Sequence, residues 1–311
     1  MQEATNQHTP YPYLAHWATL AFILLVSSSP AVTRLAVTQT LTRYDLMVLR
    51  CGIGGLIFLP YLLWQLRRIP RKLLAMGFVM AFFQGWGTHL TTIIGLQFAP
   101  ASHASALGPG FISVWVALWG WLFYRLRPSR VQMTGLALIA LGAVVLLLNS
   151  SGKTFNMTTL TGDLFFLCAS AFGAIYLVYI QKHQIEPLQG AALIAVYSGL
   201  VVVPWFFLAS PLSKIPDAPL PELALQIIYQ GVGIGALFFL LLSYAVVRLG
   251  SQRFSMIVAC VPILSLGFGR WIAGDKIALL ECVAAALITS GILYGAIFRA
   301  NEKIALNPTA G

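Results

Sequence analysis

Gly95-Leu96-Gln97-Phe98-Ala99-Pro100-Ala101-Ser102-His103-Ala104-Ser105-Ala106-Leu107-Gly108-Pro109 lies within a run from Leu73 to Tyr124 that contains no Lys, Arg, Asp or Glu. Hydrocarbon about 30 Å thick takes roughly 20 helical residues per crossing, so this run is too long for one span. Ala99-Pro100-Ala101 supplies the break, because proline lacks a backbone donor and disfavours helix at the residue before it. The run therefore reads as a hairpin of two membrane helices. Outward from it, apolar windows fall at 15–37, 44–66, 72–96, 101–124, 130–149, 161–182, 188–210, 222–247, 251–272 and 278–299, which predicts ten spans in an all-α integral membrane protein. With 59% hydrophobic and 9% charged residues, the 311-residue chain falls outside the soluble class.

The pattern runs twice. Pro30, Pro60, Pro109, Gly135 and Gly142 in the first half are echoed by Gly173, Pro204, Pro262, Ala284 and Gly291, at offsets between 143 and 153 residues. Five spans per unit force two copies into opposite orientations, so the chain is predicted as two inverted five-helix repeats, 15–149 and 161–299. A connecting loop, 150–160, and two cytoplasmic tails, 1–14 and 300–311, complete the division.

Basic residues set the orientation. With the N-terminus inside, Arg67, Arg68, Arg71, Lys72, Arg125, Arg127, Arg130, Lys182, Arg248, Arg253, Arg299 and Lys303 lie inside, against Arg34, Arg43, Lys153, Lys214, Arg270 and Lys276 outside. The excess favours both termini in the cytoplasm of a multi-pass inner (plasma) membrane protein. The net charge of +10 is then mostly a topology signal. Scattered through short loops, it does not form the basic face that nucleic acid requires. Residues 1–13 hold Glu3 and no Lys or Arg, so a cleaved signal peptide is not expected. Cys51, Cys168, Cys260 and Cys282 fall within predicted helices without metal-ligand spacing and read as small buried hydrophobes.

The quoted segment, followed by a Trp-rich span and a basic turn, resembles the EamA unit of the drug/metabolite transporter superfamily. The likeness lies in a short turn ending in Pro-Ala, a small-residue helix start, a mid-helix proline and a last helix with small residues at Gly135 and Gly142. The second copy keeps the order in Leu249-Gly250-Ser251-Gln252-Arg253-Phe254-Ser255, Pro262, Asp275-Lys276, Ala284 and Gly291. The family's Gly-Glu after the fourth helix of a unit stands as Gly274-Asp275 in copy two and is missing after Tyr124 in copy one. The resemblance implies a ten-helix secondary transporter. Its first implied activity is export of amino acids, aromatic or neutral, as in the YddG-type exporters. Uptake or exchange of another metabolite or drug-like cation is the alternative.

Polar and aromatic residues at membrane depth mark a candidate cavity, since a polar group facing lipid is costly. Gln84, Trp86, Thr88 and His89 crowd span three; Ser105 follows His103 at the start of span four; Tyr176 and Tyr179 lie in span six, and Gln230 and Tyr244 in span eight. Any one of them could equally serve helix packing. Pro30, Pro109, Pro204 and Pro262 are candidate hinges or static kinks. Glycines of spans two and eight suit close packing or flexibility.

Asp45, Asp163, Asp217, Glu222, Asp275 and Glu281 fall at or near predicted span ends, so a buried carboxylate relay is not expected. Arg50 is expected to snorkel to the outer surface, with a substrate carboxylate or Asp45 as other partners. His89 is the titratable group placed nearest mid-membrane, either as a switch or as a structural histidine. No Gly-x-x-x-x-Gly-Lys-Ser/Thr run, metal-ligand pair or catalytic constellation occurs in the spans, so neither an ATP-driven pump nor an enzyme is indicated. The expected partners are a small-molecule substrate and membrane lipid, with no cofactor, metal or nucleic acid, in a monomer or weak homo-oligomer.

Overall fold

The computed structural model describes residues 12–125, 128–150, 157–183, 186–208, 212–241 and 260–306. Among these, eight helices are long and apolar enough to cross a membrane. They are α1 (Pro12–Gln39), α2 (Arg43–Gln65), α3 (Arg71–Phe98), α4 (Ala101–Phe123), α5 (Arg130–Ser150), α6 (Met157–His183), α7 (Pro187–Leu208) and α8 (Leu220–Leu241). Two shorter apolar helices follow, α9 (Val261–Ile272) and α10 (Leu279–Leu306), the latter apolar over Leu279–Gly295.

The α3–α4 hairpin forms where the proline requires it. Ala99 is extended (φ −131°, ψ 158°), and Pro100 caps the new helix from outside it. At the opposite end of α4, Arg125 closes the helix in the left-handed region (φ 54°), its N–H bonding to the carbonyls of Gly120 and Trp121. After α9 the left-handed position falls on Gly274 (φ 69°), which tolerates it without a Cβ clash.

Helix pairing repeats between the halves. α1 packs on α9 as α6 packs on α4; α2 packs on α8 as α7 packs on α3; α3 packs on α6 as α8 packs on α1. The remaining large contacts, α2 with α7 and α5 with α10, map onto themselves under the same exchange. Small residues permit the closest of these crossings. A Cβ on Gly135 would lie 2.7 Å from the Gly291 carbonyl oxygen, and one on Gly54 would overlap the carbonyl of Gly235. Packing therefore accounts for Gly54 and Gly235, in spans two and eight.

Polar contacts gather at one end of the bundle. Arg34 near the end of α1 pairs with Asp275 in the α9–α10 turn, whose second oxygen accepts the N–H of Ala101 at the start of α4 (3.0 Å). Thr40 donates to Glu222 at the start of α8 (2.6 Å). Asp45 forms a capping box with Thr42 and accepts from Ser213 Oγ (2.6 Å) and Lys214 N (3.0 Å) of the α7–α8 connection. The ends of α1 and α9 thus meet the starts of α2, α4, α8 and α10.

Two expectations need correction. Asp45, Asp163 and Glu281 are near helix ends as anticipated, yet they are 0%, 0% and 6% exposed, because neighbouring helix ends cover them. Position along a helix does not fix depth in a ten-element bundle. Of the four cysteines, all free, only Cys51 is buried; Cys168 is half-buried, and Cys260, which caps the start of α9, and Cys282 in α10 are exposed.

Four helices depart from α geometry. α2 is π-helical over Val48–Ile53, α8 over Ile227–Leu237 and α3 over Ala81–Trp86, where Gly85 leaves helical space (φ −95°, ψ −112°). α4 splits at Gly108 (φ −77°, ψ −101°) into Ala101–Leu107 and Ile112–Tyr124, with Pro109 in the gap. Pro30 and Pro204 lie inside helices that continue through them, and Pro262 stands in the first turn of α9. Replacing Gly291 by Val is expected to lower stability by about 1–3 kcal/mol through overpacking of the α5–α10 crossing. Thermal unfolding of the purified variant in detergent checks this; an unchanged midpoint contradicts the crossing.

Candidate functional site

The π-helical turn of α2 carries Arg50 into the interior instead of out to the surface; the residue is 3% exposed. Its Nε and Nη2 both donate to Gln230 Oε1 (3.0 and 2.7 Å), and Nη2 also donates to Thr33 Oγ1 (2.8 Å). Nη1 lies 3.4 Å from His89 Nδ1. Gln230 is itself anchored, its Nε2 donating to Gln226 Oε1 (3.1 Å) and Thr33 Oγ1 (3.3 Å). One guanidinium thus ties α1, α2, α3 and α8 together. A guanidinium keeps its proton, so this is a permanent buried cation. The hydrogen-bond partners named for it are neutral amide, hydroxyl and imidazole groups; Asp45, the expected alternative, is engaged by Thr42, Ser213 and Lys214. Snorkelling loses here because the inward acceptors are close and fixed.

Arg50 and His89 line a cleft with Gly85, Ser198, Gly235 and Phe239, between α2, α3, α7 and α8. Its free volume is about 10 Å³, room for a single water molecule. An organic solute needs these helices to part. The three π-helical segments, in α2, α3 and α8, supply three of the cleft's four walls, and such segments are irregularities that mark functional sites within helices.

Of the residues nominated from sequence, the structure brings His89 and Gln230 together through Arg50. Gln84 and Trp86 lie on the same π turn of α3, and both carry a buried polar atom with no hydrogen-bond partner, Gln84 Oε1 and Trp86 Nε1. Phe82, Phe83 and Phe172 cluster beside them, with Trp86 edge-on to Phe82 at 4.8 Å. Thr88 and Ser105 spend their hydroxyls on their own helices, bonding the carbonyls of Phe83 and Ala101. Tyr176 and Tyr179 pack in an apolar cluster with Leu193, Ile194 and Phe58, and Tyr179 also faces the His183 ring. Tyr244 lies outside the described residues. Sequence reasoning points to Ser198 through the polar residues of span seven, but it did not nominate Thr33 and misjudged Arg50. The available signal was an Arg two turns into a span that carries no charge after it, from Cys51 to Leu66.

The EamA-like transporter family model matches the chain twice, over residues 14–148 and 160–295. The chain belongs to this family. The EamA-like protein is therefore a multi-pass membrane transporter of the drug/metabolite transporter superfamily, not an enzyme, and its partners are a small-molecule substrate and lipid. A crystal structure of a protein 18% identical superposes with a TM-score of 0.62, covering 92% of this chain and 96% of that one, which establishes a shared fold. No curated protein matches the chain.

Changing Gln230 to Leu removes the oxygen that two Arg50 donors share. The lost charge-assisted bonds are expected to lower stability by about 1.5–3 kcal/mol. The unfolding midpoint of the purified variant reads the loss, and an unaltered value contradicts the clamp.

Proposed function

We propose that the EamA-like protein is a secondary carrier that exports neutral and aromatic amino acids across the inner (plasma) membrane by alternating access. The observation that carries this is the buried Arg50, a permanent cation held by neutral groups at the edge of a cleft. A buried unpaired charge is costly, and a carboxylate offers the counter-charge with matched, bidentate geometry. Arg50 is thus assigned the substrate carboxylate. Ser198 and His89 supply further polar contacts in the cleft. Gln84, Trp86 and the Phe82–Phe83–Phe172 cluster form the polar and aromatic surface nearest it on α3. The same cation repels quaternary ammonium and drug-like cations, which disfavours the alternative substrates.

The proposed carrier has ten spans arranged as two inverted halves, with both termini inside. α1 ends where α6 begins, in keeping with opposite orientation of the halves, and their pairing pattern is interchangeable. Two halves of one design that lean against each other in opposite senses give two openings, related by a pseudo-two-fold axis in the membrane plane, to one shared site. Pro109 and its flanking glycines in α4, together with the π segments, are the proposed hinge points; Pro30, Pro204 and Pro262 are secondary ones.

Counterflow in liposomes tests the proposal. Labelled phenylalanine should exchange saturably, while phenylalaninamide, which lacks the carboxylate, should not compete. Arg50→Gln should lower exchange at least tenfold. Gln230→Glu should also suppress it while remaining folded, because a fixed carboxylate takes the substrate's place. Exchange of cationic drugs in place of amino acids contradicts the reading.

A further inference from the structure

Of the four buried side-chain polar atoms that lack a hydrogen-bond partner among the described residues, three stand on two successive helices. They are Gln84 Oε1 and Trp86 Nε1 of α3, and Trp115 Nε1 of α4. Buried donors and acceptors are almost always paired, so three in one region call for a cause. A Cβ on Gly173 of α6 would lie 3.1 Å from Gln84 Oε1 and 3.4 Å from Ile112 Cδ1 of α4. With no side chain at Gly173, a notch is left where α3, α4 and α6 meet, and the Gln84 oxygen stands at its edge.

The surroundings of the notch are aromatic. Phe172, beside Gly173, packs against Phe82 and Phe83 with ring centres 5.3 and 5.6 Å away. Trp115 follows Ile112 by one helical turn and stacks on Trp119 at 5.6 Å. Trp119 shows the paired state at this junction, its Nε1 donating to the Ala171 carbonyl of α6 (3.2 Å). Trp86 and Trp115 keep their donors unused, and Gln84 its acceptor. Gly85, next in the chain, lines the Arg50 cleft, so cleft and notch adjoin along α3. A phenyl ring answers none of the unpaired atoms, and an indole N–H answers only the acceptor. A phenol donates through its O–H and accepts through its oxygen, so it answers both kinds. Turning the Gln84 amide over exchanges acceptor for donor, and a phenol answers that too.

We infer that Gln84, with the Trp86 and Trp115 N–H groups, reads a hydrogen-bonding group on the substrate's aromatic ring, and that the preferred cargo is a phenol-bearing amino acid of the tyrosine type. The inference rests on the amino-acid reading proposed above and narrows it. Arg50 receives the carboxylate, and the ring enters the notch as α3, α4 and α6 part. There the phenol donates to Gln84 Oε1 and accepts from an indole N–H. A phenylalanine ring in the same place leaves the buried acceptor unmet, which is how a hydrogen-bonding site rejects the analogue that lacks the group. Tyrosine is therefore preferred to tryptophan, and tryptophan to phenylalanine, with Gln84 as the residue that sets the order.

Competition against labelled phenylalanine in liposome counterflow tests this. Half-inhibition by tyrosine should come at about a tenfold lower concentration than by unlabelled phenylalanine, with tryptophan between them. Gln84→Leu should bring the tyrosine-to-phenylalanine ratio down to near one, whatever it does to the absolute rate. Gly173→Ala sets a methyl group in the notch and provides the same reading should the first variant fold poorly. Equal competition by all three amino acids, or an undiminished tyrosine preference in both variants, overturns the assignment. If no amino acid exchanges, the carrier reading has failed, and para-fluorophenol, which has no carboxylate, tests the notch by itself. Its ¹⁹F line should broaden more in nanodiscs holding the protein than in empty ones, and Gln84→Leu should abolish the excess. No excess, or one that survives in Gln84→Leu, overturns the notch as a ring site.

Discussion

Arg50 in a dry interior is the constraint around which the bundle is organised. Desolvating a guanidinium costs several kcal/mol, and only well-placed acceptors offset that cost. Gln230 and Thr33 supply those acceptors, Gln226 orients Gln230, and His89 closes the fourth side. Four helices are thereby committed to one relative position. On the function proposed above, the same charge also receives an incoming carboxylate in preference to neutral dipoles, so that clamp and proposed binding site share one side chain.

The surroundings of this clamp are unequal. At one end, Arg34–Asp275, Thr40–Glu222, Asp45–Ser213 and His103–Asp163 join helix ends by charge and hydrogen bond. Toward the other end, α6 and α7 meet through Tyr176, Leu193 and Ile194, with Phe58 and Leu62 of α2, in an apolar cluster. Charged contacts are exchangeable for water; apolar contacts slide but resist wetting. Between the two ends, π-helical turns in α2, α3 and α8 leave the cleft walls less regular than the tightly crossed glycine faces of α5 and α10. The rigid crossing and the pliable walls together define what holds still and what moves.

Much of this architecture was legible in the chain. A charge-free stretch too long for one span, interrupted by Ala99-Pro100-Ala101, demanded the hairpin that forms. Gly135 and Gly291, legible in the chain only as markers of the repeat, turn out to sit at the close crossing of α5 and α10. What escaped was depth. Arg50 looked close enough to a helix start to reach water, and Asp163 and Glu281 looked terminal; whether an end is covered depends on which other ends converge on it, and a one-dimensional pattern holds no such information. Thr88 and Ser105 illustrate a second gap, since a hydroxyl bonds its own helix as readily as a ligand. Helical periodicity names a face, not the partner across from it.

Solid-state NMR on membrane-reconstituted protein, labelled with ¹⁵N at its arginine guanidinium groups and loaded with ¹³C-carboxyl phenylalanine, settles whether the buried cation receives the substrate. Carbon–nitrogen dephasing at hydrogen-bond range, lost in Arg50→Gln, is the outcome expected. Bound phenylalanine whose carboxyl shows no dephasing, or shows it equally in that variant, contradicts the role given to Arg50.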